Sequence, residues 1–393
     1  MTHATRQGPL TGLSVLELGG LGPAPFAAML LADLGADVLR VERSGAGFEM
    51  PVPERMDTLQ RGKRRIRLDL KHEQGAETFL DLVQAADIVI DSYRPGVIER
   101  LGIGPDECLE RNPRIIVARM TGWGQDGPLA QRAGHDPTYL ALTGALHAIG
   151  RADGPPQLPL SLVGDFGGGA MYLVTGILAA LWERERSGQG QVIDAAIVDG
   201  VSHLMASPYS LLAGGAWTDR RGENLIDSGA PFVDVYRTAD DKWMTIAALE
   251  PPFFAELING LGLDPAWAKR RWKKENWDQL RVELCEAFAR RTRDEWEEIF
   301  AGRDACVAPV LSLNEAPESA HLQARGTFFQ REEGHVEPAP APRFSRTNTG
   351  IPTAAVGIDE KTASEALAGW GNQNCERLAN SPAITKPAVT ALN

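Results

Sequence analysis

The sequence predicts an α/β protein, with a large, doubly wound, Rossmann-like parallel-sheet domain joined to a smaller α+β domain. Three observations carry this. Strand-like and helix-like patterns alternate through the first 120 residues, the order that builds a parallel sheet with helices on both faces. Near residue 215 the pattern changes to a hairpin followed by charged amphipathic helices. A chain of 393 residues also exceeds what one hydrophobic core usually organises.

"LSVLEL" (13–18) is a short apolar run that reads as a buried strand, followed by a Gly/Pro turn and the apolar helix "PFAAMLLADLG". "ADVLRVE" (36–42) is a second strand, "AETFLDLVQAA" (76–86) a helix, and "DIVIDS" (87–92) and "RIIVARM" (114–120) are strands. Sheets of this kind bind ligands beyond the carboxyl ends of their strands. A helix pattern over 165–186 ends in "WERERSGQG", where charge and then glycine mark a stop, and "QVIDAAI" (191–197) supplies another strand. "FVDVYRTADDKWMTIAAL" (232–249) reads as a β-hairpin turning at Ala239, Asp240 and Asp241, with helices around 252–262, 276–292 and 293–302. The expected organisation is a large domain over 1–214, a small domain over 215–330, and a returning segment over 331–393 that packs on the large domain. Within that segment "HVEPAPAPRFSRT" (335–347) reads as an extended Pro-rich connector, and "SPAITKPAVTALN" as a mobile tail.

Composition excludes several classes. With 40 Lys+Arg against 52 Asp+Glu the net charge is −12, which argues against nucleic-acid or anionic-membrane partners. Cys108, Cys285, Cys306 and Cys375 form no metal-binding spacing, so neither a metal site nor a disulfide framework is expected, and a cytoplasmic location fits. "MTHATRQGPL" lacks the apolar core of a secretory signal, and no run of 18 apolar residues appears. No membrane span is expected.

"LVGDFGGGA" (162–170) contains D-F-G and is rich in glycine. It lacks the catalytic loop and strand motifs that accompany D-F-G in protein kinases, and the Lys and hydroxyl of a phosphate-binding loop. In "LGGLGPAPF" (18–26) Pro25 occupies the third glycine position of a dinucleotide fingerprint, so a nicotinamide site is not expected. The basic run "RGKRRIRLDLK" (61–71), with Arg40, Arg43 and Arg94 at strand ends, has two readings, a solvated loop or an anion patch for phosphates. Asp165 opens the long helix as an N-cap or as a functional carboxylate facing unpaired backbone N–H groups. Three glycines in that first turn weaken a helix and suggest close approach by a ligand. His135, in "AGHDPTY", and Glu250, ending "KWMTIAALE", say little in isolation.

Together these segments resemble the family III CoA-transferases (CaiB/BaiF type), and within them the α-methylacyl-CoA racemase branch. The resemblance spans about residues 8–350. It rests on "LSVLELGGLGPAPFAAMLLADLGADVLRVER", "YRPGVIERLGIGP", "TGWGQDGPLAQRAGHDPTYLALTG", the Asp165 segment through "QVIDAAIVDG", "ENLIDSGAPFVDVYRTADDKWMTIAALEP" and "DACVAPVL". It implies an interlocked-ring homodimer in which the partner's small domain completes the site. The acyl-CoA thioester would contact Arg43, Arg67, Leu68, Asp69, Leu70, Tyr93, Arg94, Arg100, and Gly134 to Tyr139 including Asp136. No cofactor beyond the substrate's own CoA is implied. His135, Asp165 and Glu250 are the implied catalytic trio, with Ser161, Gly167 and Gly168 in support. In the transferase branch the residue matching Asp165 is a nucleophile; in the racemase branch it is a proton-transfer base. Retention of His135 and Glu250 favours the racemase. Three departures stand out: Ser161 where the racemases have Asn, Pro137-Thr138 in place of Ile-Asn, and only eight Met in the chain, without the methionine-rich acyl surface of close relatives.

Overall fold

The structure, a computed structural model, describes residues 7–44, 51–370 and 375–385. Six strands, β1 (Ser14–Leu18), β2 (Asp37–Glu42), β3 (Lys63–Arg67), β4 (Ile88–Asp91), β5 (Ile116–Thr121) and β6 (Gln191–Ala196), form a parallel sheet in the order β3-β2-β1-β4-β5-β6. Strands β1, β4 and β5 are mainly apolar and buried because helices cover both faces of the sheet; the one charged residue in each, Glu17, Asp91 and Arg119, is buried as well. Helix α1 (Pro23–Asp33) follows β1. Its cap, Gly22, takes a left-handed φ of 68°, and prolines begin the helix. Helices α2 (Gly75–Val83), α3 (Val97–Arg100) and α4 (Pro105–Arg111) complete the β3–β5 connections. The order of connection reverses between β1 and β4, which opens a crevice at their carboxyl ends.

The basic run is neither a solvated loop nor, for most of its side chains, an anion patch. It is the edge strand β3 with the turn before it, and its cations are paired inside the protein. Arg61, 2% exposed, bridges Asp33 (2.6 Å) and Glu337 (3.0 Å). Lys63 binds Glu17 (2.8 Å), Arg64 binds Asp37 (2.8 Å), and Arg65 binds Glu42 (2.6 Å) and Glu54 (2.9 Å). Arg40 pairs with Glu17 and Glu42. Counting charge along the sequence could not reveal this, because every partner of the cations at 61–65 except Glu54 lies more than 20 residues away.

After helix α5 (Asp136–Leu142), a π-helical segment, Leu162–Ala170, runs directly into α6 (Met171–Ser187), and β6 is followed by α7 (Ile197–Leu204). The helix therefore begins three residues before Asp165, which sits inside a wide turn and not at an N-cap. Taken together, Leu162–Ser187 is long and apolar enough to cross a membrane by length and composition alone, against the expectation from the sequence. Its inner face holds Leu173, Val174, Ile177 and Ala180 buried, and the buried Arg184 binds Asp87 at 2.9 Å.

The chain divides into two compact units. The first takes the chain up to Thr143, Leu160–Leu204 and the chain from Gly326; the second takes Gly144–Pro159 and Met205–Arg325. The boundary expected at 214 thus falls earlier, and a short excursion joins the second unit. Polar anchors explain the excursion. Arg151 binds Asp234 at 2.6 Å, and Arg221 donates to the carbonyls of His147 (2.9 Å) and Arg151 (3.1 Å). The second unit pairs the hairpin β7 (Val233–Arg237) and β8 (Trp243–Ala247) with β9 (Val307–Pro309), against α8 (Pro251–Leu261), α9 (Trp277–Phe288) and α10 (Arg293–Phe300). Phe232, Tyr236, Phe254, Leu284, Phe288 and Trp296 fill its core.

Two readings of the returning segment change. The Pro-rich stretch carries a strand of its own, β11 (Val336–Pro338), pairing with β10 (Phe328–Gln330), and buried Glu337 takes both Arg61 and Arg331 (2.9 Å). The start of the expected tail is packed, with Ala383 and Ile384 buried and Ile384 bridged to Leu68. The rest of that tail, from 386, lies outside the described residues.

Candidate active site

A cleft of about 850 Å³ lies within the first unit at the carboxyl ends of the sheet strands. Its wall includes Gly20 and Gly22 after β1, Arg43 after β2, Arg67 ending β3, Tyr93 and Arg94 after β4, Trp123 after β5, and His135, Tyr139 and Asp165. Two of the three implied catalytic residues therefore share one cavity, although 30 residues separate them in the chain.

Asp165 is half-buried and its carboxyl is pushed up to about 6. Burial is the largest cause and the neighbouring Asp136 carboxylate the next; His135 and a hydrogen bond from the Ser161 hydroxyl pull the other way. Ser161, one of the departures noted above, thus still reaches Asp165. The side chain of Asp165 fits because residue 22 is a glycine: a β-carbon there would stand 2.7 Å from Asp165 Oδ2. The G-x-G after β1 therefore admits a carboxylate, where a dinucleotide site would admit a pyrophosphate. Phe166, next in the chain, stacks on Phe26 of α1 with ring centroids 4.4 Å apart.

The glycines after Asp165 serve packing. A β-carbon at Gly168 would stand 2.5 Å from Val201 of α7, and one at Gly169 would stand 3.0 Å from Pro23. Gly167 faces the carbonyl of Leu162. The expectation that they clear a path for a ligand is corrected: they let α1 and α7 close on the Asp165 helix. The backbone donors expected to face a ligand are also occupied. The Asp165 N–H donates to Asp136 Oδ2 at 2.7 Å, and the Phe166 N–H donates to the Ser161 carbonyl at 3.0 Å.

His135 caps α5 with its ring exposed in the cleft wall. Thr138, one of the departures noted above, fixes that cap: the His135 N–H donates to Thr138 Oγ1 at 3.0 Å, and the hydroxyl donates to the His135 carbonyl at 2.7 Å. Tyr139 is 8% exposed, meets Trp123 edge-on at 4.7 Å, and lies flush against Gly122 and Gly134, where β-carbons would overlap its ring. Burial, then the charge of Asp165, pushes its phenol up to about 12, with Arg94 opposing.

The residues implied for CoA separate into two groups. Arg43, Arg67, Tyr93, Arg94, Gly134 and Tyr139 line the cleft. Arg67 reaches Asp359, and the charges of Arg43 and Arg40 act on the Tyr93 phenol, which burial raises. Leu68, Asp69, Leu70 and Arg100 stand off the cleft. Leu68 is fully buried, Leu70 packs on the same core, and the Asp69 N–H donates to the Ala383 carbonyl at 2.8 Å. Arg100 ends α3 in solvent. Asp136 is buried beneath the cleft, turned toward the backbone of Asp165. Glu250 belongs to the second unit, where it caps α8, and Arg271, 1% exposed, donates to the two carbonyls before it, those of Ala248 (3.2 Å) and Leu249 (2.7 Å). Sequence reasoning missed Gly22 and Trp123 as site residues. The signal for Gly22 was a glycine directly before a proline-initiated helix.

The family model described as CoA-transferase family III matches residues 10–359. An α-methylacyl-CoA racemase from Mus musculus is 43% identical over 345 residues, covering 88% of this chain and 88% of the relative. One from Homo sapiens is 43% identical over 338 residues, covering 86% and 87%. Acetyl-CoA:oxalate CoA-transferase from Acetobacter aceti is 32% identical over 343 residues, covering 84% and 87%. The crystal structure of a CAIB/BAIF family protein from Brucella suis superposes with a TM-score of 0.76 at 27% identity, over 92% of this chain and 99% of that one.

Proposed function

The chain belongs to CoA-transferase family III, and within it we propose that it acts as an α-methylacyl-CoA racemase, interconverting (2R)- and (2S)-2-methylacyl-CoA thioesters. The observation that carries this is the presence of His135 and Asp165 in one cleft, in a chain 43% identical to racemases over most of its length.

Racemisation at C2 needs a proton removed from one face and returned to the other, so two acid/base groups must flank the carbon. In one direction ionised Asp165 takes the C2 proton, the C–H electrons form the thioester enolate, and protonated His135 supplies a proton to the opposite face. In the other direction neutral His135 takes the proton and Asp165, now carrying one, gives it back. Nothing is oxidised and no group leaves. A carboxyl near 6 suits both halves, since a group that must act as acid and base works best with its pKa close to the working pH. Arg43, Arg67 and Arg94 on the cleft wall are suited to the phosphates of coenzyme A.

Glu250 is the proposed partner of the His135 imidazole, supplied from the second unit of another copy in a homodimer. The exposed apolar side chains Leu162, Met171, Trp182 and Leu204 on α6, α7 and the segment before them support assembly, because a face this apolar is normally covered. The second reading is a CoA-transferase in which Asp165 attacks a thioester; the relative from Acetobacter aceti supports that class.

Washout of the C2 proton in deuterium oxide, followed separately from each epimer, tests the two-base reading. His135→Ala should keep exchange from the epimer served by Asp165, and Asp165→Ala from the other. Loss of exchange from both epimers in only one of the variants, with the other fully active, would overturn it.

A further inference from the structure

Asp136 is buried, 4% exposed, and follows His135 directly in the chain. Its Oδ2 accepts the Asp165 N–H at 2.7 Å, and the Gly164 N–H also donates to this carboxylate. A β-carbon at residue 164 would overlap the Asp136 carboxylate, so glycine there is a condition of the contact. The other oxygen, Oδ1, is buried with no hydrogen-bond partner among the described residues. A helix start needs only a neutral acceptor such as Ser or Asn. A buried, half-satisfied carboxylate is a costly substitute, because an unmet charged acceptor loses its hydration without return. Its placement suggests what offsets that cost.

We propose that Asp136 is a positioning residue that ties the segment carrying His135 to the segment carrying Asp165 and, when ionised, sets a negative charge beside the Asp165 carboxylate. The tie is short: one peptide bond from His135 to Asp136, then one hydrogen bond to the Asp165 backbone. It fixes the gap in which a thioester's C2 must sit. The charge makes Asp165 a stronger base than burial alone would, since Asp136 is the second-largest influence raising its carboxyl. The groups acting on Asp165 are Asp136 and His135 from α5 and its cap, and Ser161 before the π-helical segment; Tyr139 of α5 feels the Asp165 charge in turn. This inference rests on the proposed role of Asp165 as a base, and it assigns Asp136 to the acid/base pair and not to the coenzyme.

Asp136→Asn separates the two parts, because an amide oxygen can still accept the Asp165 N–H but carries no charge. Its C2-proton exchange should keep its KM, and the acidic limb of kcat/KM should move to lower pH by roughly half to one unit. Asp136→Ala and Gly164→Ala, which each break the tie, should lose on the order of 10²-fold in kcat with KM little changed. A raised KM in Asp136→Asn with the limb unmoved would make Asp136 a coenzyme contact and overturn the proposal. If Asp136→Asn does not fold, Asp136→Ser, also a neutral acceptor, is read in the same way. A readout independent of activity separates this proposal from the racemase reading. The pH at which the stabilisation by Asp165→Asn levels off should fall by the same half to one unit, and its plateau should shrink, when Asp136→Asn is also present. If the parent protein exchanges no C2 proton but this shift is seen, the function fails and the positioning role stands. If exchange is normal and neither limb nor linkage moves, the positioning role fails.

Discussion

Replacing Asp165 by Asn should stabilise the protein while abolishing proton transfer at that face. Burial and the Asp136 carboxylate raise the Asp165 carboxyl from 3.8 to about 6, so the ionised form is strained in the folded state. A shift of about two units corresponds to a ceiling of ~3 kcal/mol. Asp165 is only half-buried, and its remaining hydration reduces the expected gain to ~1–2 kcal/mol. The sign follows from linkage. Below the unfolded value of 3.8 the carboxyl is neutral in both states and contributes nothing. As pH rises toward about 6 the unfolded chain ionises while the folded one resists, and the penalty grows; above that it is constant. Asn carries no charge, so its advantage should be small at pH 4.5 and complete at pH 7.5. Thermal unfolding at a series of pH values measures it, with a rise in Tm of roughly 1–4 °C expected at the upper end for a chain of this size. A Tm difference that is the same at both pH values would refute the reasoning, because it would mean that Asp165 titrates alike in both states.

Three further outcomes follow from the same contacts. Gly22→Ala puts a β-carbon 2.7 Å from Asp165 Oδ2 at a backbone φ of 68°; exchange should fall on the order of 10²-fold, with the overall fold retained by circular dichroism. Ser161→Ala removes a hydrogen bond that lowers the Asp165 carboxyl, so the acidic limb of kcat/KM should move to higher pH. Arg61→Ala leaves Asp33 and Glu337 buried without their shared cation; it should cost ~3–5 kcal/mol by chemical denaturation, and Glu337→Gln considerably less.

The sheet was legible in the sequence because its strands are buried on both faces and so appear as mainly apolar runs in β1, β4 and β5, each carrying a single charged residue, Glu17, Asp91 and Arg119. Strand β3 was not, since "KRRIR" reads as a strand only once Glu17, Asp37 and Glu42 stand beside it. The same distance from its partners hid Glu337 in what read as a connector. His135 and Asp165 meet in one cleft that no local pattern could show, and Glu250, grouped with them only by family resemblance, lies in the second unit. The glycines after Asp165 misled: glycine frees space equally for a ligand and for a neighbouring helix, and here Val201 and Pro23 fill it. Asp136, implied as a coenzyme contact, is buried beneath the cleft with its carboxylate on the Asp165 backbone, a placement that no local pattern in the sequence signals.

Incubating the protein with a single epimer of a 2-methylacyl-CoA in deuterium oxide tests the central claim most directly. The account predicts that the methyl doublet at C2 collapses as deuterium enters, both epimers accumulate, and the mass of the protein stays unchanged. Retention of the C2 proton, together with a mass increase mapping to Asp165, would contradict it.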